Sequence, residues 1–170
     1  MKRIGVFYGS TTGVTEVLAF QIAEKLSIPK NDVHDVAKIK SIAISAYDIL
    51  LLGTSTWGEG EMQDDWYNAA PIFKASGLKG KDVALFGCGD SVSYKDTFCN
   101  GIKVLYNELK DSECKFHGFV DASEYSFEYS SAVIDGKFIG LPIDDANEGE
   151  RTEKRIEKWI EILKQEINFE

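Results

Sequence analysis

Three short apolar runs constrain the fold of this chain more than any other feature: Arg3 to Tyr8, Asp48 to Leu52 and Asp82 to Phe86. None of them alternates apolar with polar residues. Each therefore reads as a strand covered on both faces, the signature of a parallel rather than an antiparallel sheet. Parallel neighbours need long crossover connections, and segments of helical period fall where those are required. They are Thr15 to Leu26, with Leu18, Ile22 and Leu26 on one face, a short one at Ser41 to Tyr47, then Asp65 to Ala75 and Phe98 to Lys110. A last helix is marked by Ile156, Trp159, Ile160, Leu163 and Ile167, with Thr152 as its expected cap and Glu153 complementing the N-terminal dipole. Asp32 to Val36 is a weaker strand candidate.

Alternation of this kind, with right-handed crossovers, predicts an α/β fold: a three-layer doubly wound sandwich with a five-stranded parallel sheet and helices on both faces. Lys115 to Val120 and Lys137 to Ile143 both look like strand. We read them as one edge strand interrupted by the polar, aromatic segment Asp121 to Gly136, a loop of about 17 residues and thus long enough to carry a function or a partner. At 170 residues, residues 1–170 are expected to form a single domain.

The N-terminal residues run straight into strand, without the apolar stretch of a secretory signal, and no apolar run approaches the ~18 residues that span a bilayer. A cytoplasmic, monomeric protein without membrane association is the expectation. Cys88, Cys99 and Cys114 are odd in number and form no C-x-x-C pair, which argues against a disulfide framework and a zinc site. His34 and His117 lie far apart and outside any ligand cluster, so no metal is expected. A formal net charge of -9 repels nucleic-acid phosphates and favours partners with basic docking faces.

In an open α/β sheet ligands bind beyond the carboxyl ends of the strands. After the first strand comes Gly9-Ser10-Thr11-Thr12-Gly13-Val14-Thr15, where free backbone N–H groups, a helix dipole and the hydroxyls of Ser10, Thr12 and Thr15 would meet a phosphate. A triphosphate loop would need lysine where Val14 stands, and the dinucleotide pattern G-x-G-x-x-G is absent, so a monophosphate held by neutral groups fits better. The third strand leads into Gly53 to Gly60 with Trp57, and the fourth into Gly87 to Tyr94. A planar ring could stack between Trp57 and Tyr94.

The segments G-S-T-T-G-V-T at 9 to 15, T-S-T-W-G-E-G at 54 to 60 and G-D-S-V-S-Y-K-D-T-F at 89 to 98 resemble the three flavin mononucleotide (FMN) loops of the flavodoxin family. D-G-K-F-I-G-L-P-I-D at 135 to 144 is similar to the long-chain subgroup, in which a loop interrupts the fifth strand. The resemblance covers essentially the whole chain. It implies a sheet of order 2-1-3-4-5, non-covalent FMN, and phosphate held by Ser10, Thr11, Thr12, Gly13, Val14 and Thr15. Trp57 and Tyr94 would sandwich the ring. The 55 to 60 and 88 to 99 loops would contact its polar edge and ribityl chain, through Thr54, Ser55, Thr56, Gly58, Gly60, Cys88, Gly89, Asp90, Thr97, Phe98 and Cys99. Many relatives carry asparagine at position 14 and glutamine at position 91, so Val14 offers only its backbone N–H and Ser91 a shorter side chain.

The resemblance implies a low-potential one-electron carrier with no catalytic residues of its own, the chemistry belonging to the cofactor. Gly58 is expected to let a peptide carbonyl turn toward flavin N5 on reduction, because glycine tolerates positive φ. Glu59, Glu61, Asp64, Asp65, Asp90 and Asp96 would disfavour the anion left by full reduction, since between Thr54 and Ser93 the only cations are Lys74, Lys79 and Lys81. Cys88 is expected to be a small apolar filler beside the ring. Implied partners are an NADP-linked flavodoxin reductase or a 2-oxoacid oxidoreductase. The alternative is an FMN-dependent NAD(P)H:quinone oxidoreductase on the same fold, which needs open space beside the ring that Trp57 and Tyr94 would fill. A receiver domain would need aspartate where Gly53 and Thr54 stand.

Overall fold

Leu50 and Leu52 pack into the core on one face of the sheet and Ile49 and Leu51 on the other, and all four are wholly buried, as an unalternated apolar strand requires. The computed structural model describes residues 1–170 except for the side chain of Ile42. In chain order the elements are β1 (Ile4–Gly9), α1 (Val14–Lys25), β2 (Val33–Asp35), α2 (Ser41–Ser45), β3 (Ile49–Trp57), β4 (Glu61–Met62), α3 (Asp65–Ala75), β5 (Asp82–Cys88), α4 (Asn100–Leu109), β6 (Lys115–His117), β7 (Val120–Asp121), β8 (Val133–Ile134), β9 (Lys137–Phe138), β10 (Leu141–Ile143), α5 (Asp145–Glu148) and α6 (Thr152–Glu166).

The parallel sheet runs β2-β1-β3-β5, and its last position is shared by two short strands. β6 pairs with Asp82 to Ala84 at the start of β5, and β10 with Phe86 to Cys88 at its end. Counted as one interrupted strand, this is the expected order, with an interruption wider than the expected one. Leu18, Ile22, Ile156, Trp159 and Leu163 bring α1 and α6 onto one face; Trp66, Phe73, Ile102 and Leu105 bring α3 and α4 onto the other. Helices on both sides make the three layers.

The helix expected from Phe98 starts only at Asn100, after Cys99 at φ 55°, and three further boundaries differ from expectation. Residues 118–140 all lie outside the main sheet, so Val120, Lys137 and Phe138 are not edge strand; they join β7, β9 and β8 into a small antiparallel sheet. The cause is Gly118, whose φ of 77° turns the chain away from β5 while its carbonyl accepts the Trp159 indole N–H at 2.9 Å. A Cβ there would lie 2.5 Å from that indole nitrogen, so the exit from the strand is fitted to α6. Secondly, β3 continues to Trp57 because Thr54 and Ser55 still pair with β5, and Thr56 and Trp57 fold back on β4 as a hairpin. Thirdly, Thr152 is the first residue of α6 rather than its cap, and its hydroxyl donates to Asp145 at 3.0 Å.

Candidate functional site

β1, β3 and β5 are adjacent and parallel, in register at Gly9 with Thr54 and at Ser55 with Cys88, so the turns that follow them emerge side by side at one rim of the sheet. The three loops singled out in the sequence are those turns.

The first, Ser10 to Gly13, ends on Gly13 with φ 93°, and no atom lies within 4 Å of where a Cβ would sit on it. Ser10 accepts the Gly13 N–H at 3.1 Å, which closes the turn, but no side chain caps α1. The first-turn N–H groups of a helix have no intrahelical partners. Thr11 and Thr12 are exposed and Val14 is 44% exposed, whereas Thr15 is fully buried with its hydroxyl lacking a hydrogen-bond partner. That hydroxyl lies against Cys88, whose thiol burial pushes up to about 12, with Thr15 opposing the shift. A thiol is a weak partner for it. An uncapped helix start with a buried hydroxyl that has only a thiol beside it, and no cation in the turn, can receive an anion through dipoles.

The second turn follows β3. Gly58 has φ 52° and Gly60 φ 109°, and the Gly60 N–H donates to the Trp57 carbonyl at 3.0 Å. Pairing of Trp57 with Glu61 leaves a three-residue hairpin loop, and its two positive-φ positions are held by glycine, which enters that region without strain. Trp57 stands at the head of this turn, 41% exposed, its indole N–H donating to Ser55 Oγ at 2.7 Å. Thr54 is fully buried and structural: its hydroxyl accepts the Gln63 N–H and donates to the Ser55 carbonyl.

The third turn follows β5. Asp90 receives the Ser93 N–H at 2.8 Å, the Asn147 amide at 2.9 Å and the Val92 N–H at 3.1 Å; led by the Ser93 bond, these hold its carboxyl below the usual aspartate range. Tyr94, at 57% exposure, projects from the loop so organised. Ser91 points inward, its hydroxyl donating to the buried Asp144, so it presents no side chain to the rim. Thr97 is half-buried. Phe98 and Cys99 are buried, Phe98 against Tyr125, Phe127 and Phe138, so a ligand could meet only their backbone; burial also raises the Cys99 thiol well above its ordinary value. Cys88 likewise has its side chain among the core residues of the α1 face. The structure thus brings the three turns, Trp57 and Tyr94 to one rim, and turns Thr54, Cys88, Phe98 and Cys99 inward beneath it.

Sequence reasoning passed over three residues that brace these turns. Gln63 is 2% exposed and donates to Thr11 Oγ1 at 3.3 Å and Asp65 at 2.7 Å, tying the first turn to α3. Asn147 bridges Asp90 and Asp144. Asn100 joins the start of α4 to Ser130 and Ser131 of the insertion. A polar residue whose partners lie tens of positions away leaves no local pattern; only the run N-G at 100–101, after four loop residues, hints at a helix start.

Charge at the rim is acidic. Glu59, Glu61, Asp64 and Asp96 are exposed there, and the nearby cation, Lys95, is already paired with Glu128 at 2.7 Å. Lys74 and Lys79 pair with Glu108 and Glu113, and Lys81 is held by the Tyr47 carbonyl, all away from the three turns. Among the described residues no cluster of three or more His, Cys, Asp or Glu could hold a metal ion, and no helix is long and apolar enough to cross a membrane.

The sequence profile of the family described as Flavodoxin matches residues 6–159. Flavodoxin 1 of Azotobacter vinelandii is 41% identical over 173 aligned positions, covering 98% of either chain. Flavodoxin 1 of Escherichia coli K12 is 38% identical over 100% of this chain and 97% of its own. A crystal structure of Fusobacterium nucleatum flavodoxin bound to flavin mononucleotide superposes with a TM-score of 0.88 at 33% identity, covering 99% of this chain and 100% of that one.

Proposed function

Because this chain belongs to the flavodoxin family, we propose that it carries single electrons at low potential on one non-covalently bound FMN seated across the three turns of the rim. The family is one of electron carriers, and the quinone-oxidoreductase alternative is not favoured by these relationships. The observation that carries the reading is Thr15: a fully buried hydroxyl with no partner beyond the neighbouring Cys88 thiol, at an uncapped helix start free of cations. Such a site suits a phosphate that stays, because a dianion held by amides and hydroxyls gains no cationic help toward leaving.

FMN supplies the one-electron chemistry when bound. The chain's own residues do the rest. Ser10, Thr11, Thr12, Gly13, Val14 and Thr15 would hold the phosphate, Trp57 and Tyr94 would cover the ring, and the backbone of Thr56 to Gly60 and Cys88 to Cys99 would meet its edge. Gly58, already at positive φ, can reorient its peptide at low cost and so answer a proton gained at the ring. The exposed carboxylates of Glu59, Glu61, Asp64 and Asp96 disfavour added negative charge, which lowers the potential of the second electron; each ~1.4 kcal/mol moves a one-electron couple by about 59 mV.

The acidic rim supports redox partners with basic docking faces, of the flavodoxin-reductase or 2-oxoacid-oxidoreductase kind. The interrupted fifth strand supports the long-chain subgroup. Residues 1–170 would act as one domain, in the cytoplasm and as a monomer. Titrating the purified chain with FMN tests the reading: ligand fluorescence should be quenched, and stepwise reduction should pass through two resolved one-electron stages. A colourless protein that leaves the fluorescence unchanged would overturn it.

A further inference from the structure

Residues 118–140 form a small sheet of their own, yet their tip does not stay over it. The Glu128 and Tyr129 N–H groups both donate to the Lys95 carbonyl at 3.0 Å, and Glu128 pairs with the Lys95 ammonium. Ser131 N–H donates to Asn100 Oδ1 at 2.8 Å and the Ser130 hydroxyl reaches the same oxygen at 3.3 Å. Asn100 in turn lies against the Trp57 to Gly60 turn: a Cβ on Gly60 would be 3.0 Å from both Asn100 Cβ and its amide nitrogen. The next residue continues the contact, Gly101 N–H donating to Thr56 Oγ1 at 3.0 Å. The insertion therefore touches the Tyr94 loop directly and the Trp57 turn through one side chain, 9% exposed.

The orientation of that side chain is determined. Two donors from the insertion converge on Oδ1, so the carbonyl end must face them and the N–H2 end must face the turn. We propose that Asn100 is a positioning residue through which the insertion holds the Trp57–Gly60 turn in its resting conformation and thereby sets how easily the first electron is accepted. The proposal rests on the FMN reading above. If Gly58 must reorient on reduction, an amide wedged against Gly60 resists the movement, and the insertion keeps that amide in place.

Asn100→Ala keeps Cβ but removes the amide, and with it both the wedging N–H2 and the acceptor for Ser130 and Ser131. Asn100→Asp keeps the acceptor and the shape, placing an oxygen where the N–H2 stood. Both are loaded with FMN, titrated for the potentials of the two one-electron steps, and melted without FMN. In Asn100→Ala the first step should become about three- to tenfold more favourable, a positive shift of up to about 59 mV, while the melting temperature falls. Asn100→Asp should restore most of the melting temperature. Its side chain still fills the space against Gly60, so the first step should stay within twofold of the parent's, while the added carboxylate should make the second step less favourable. A first-step potential in Asn100→Ala within twofold of the parent, or shifted negative, overturns the proposal and leaves Asn100 a structural residue. If Asn100→Ala does not fold, Asn100→Ser, which keeps a hydroxyl acceptor and lacks the amide, decides: a first-step potential within twofold of the parent's would likewise overturn it. Failure of the parent chain to bind FMN would instead sink the reading beneath.

Discussion

Thr15→Val exchanges the buried hydroxyl for a methyl of nearly the same shape and should move two measurable quantities in opposite directions. In the FMN-free protein the hydroxyl is fully buried with no partner beyond a neighbouring thiol. An unsatisfied buried polar group costs about 1–3 kcal/mol, so its removal should raise stability, and we take the lower end because Cys88 gives it some company. About 1 kcal/mol corresponds to roughly 3 °C in the melting temperature of a chain this size. In the FMN-bound protein the same hydroxyl would donate to a phosphate dianion, a charge-assisted bond of about 1.5–3 kcal/mol. Its loss should weaken FMN binding about 10- to 150-fold. Thermal melting of the FMN-free form and fluorescence-quench titration read the two effects separately. A lower melting temperature would mean that the hydroxyl is satisfied within the protein, and unchanged affinity would mean that the phosphate lies elsewhere; either refutes the assignment of the first turn.

Trp57→Ala and Tyr94→Ala should each weaken FMN binding about tenfold, from about 1–1.5 kcal/mol of lost stacking, with little change in FMN-free melting because both rings are substantially exposed. Equal losses of stability and affinity would indicate packing roles instead. Gly58→Val should lower the yield of the half-reduced protein during stepwise reduction, because a β-branched residue cannot follow the peptide reorientation that glycine makes at low cost; its nearest neighbour is the flexible Glu61 side chain, so a steric clash is not the cause. His34 stacks on Phe7 and hydrogen-bonds Tyr47, whose hydroxyl donates to Asp32 at 2.6 Å. Burial holds the imidazole below its ordinary value, against the opposing pull of Asp32. The unfolded chain then takes up the proton first as pH falls below about 6.5, so this residue's contribution is present above that pH and lost below it. His34→Gln should flatten the decline in melting temperature between pH 7 and pH 5; an unaltered slope counts against the assignment.

The sheet was legible because its strands report on both faces at once. Ile49, Leu50, Leu51 and Leu52 face two different helical layers, since four consecutive buried apolar side chains in a strand require cover on both faces. Trp57 and Tyr94 were legible for the complementary reason: a large aromatic among small residues, just past a strand of that kind, has no core to enter and stays at the rim. What escaped was every feature decided by distant partners. Thr54 to Trp57 looked like loop because Thr54, Ser55 and Thr56 are small and polar, but Gly87, Cys88, Glu61 and Met62 supply the ladder that keeps them in strand. Lys137 and Phe138 have the composition of strand and are strand, but in another sheet, because Gly118 turns the chain away from β5 nineteen positions earlier. Gln63, Asn100 and Asn147 were invisible because an amide has no periodicity to betray it. All three brace turns rather than line them, so a short sequence motif can identify where a ligand binds without revealing what keeps the binding turns in place.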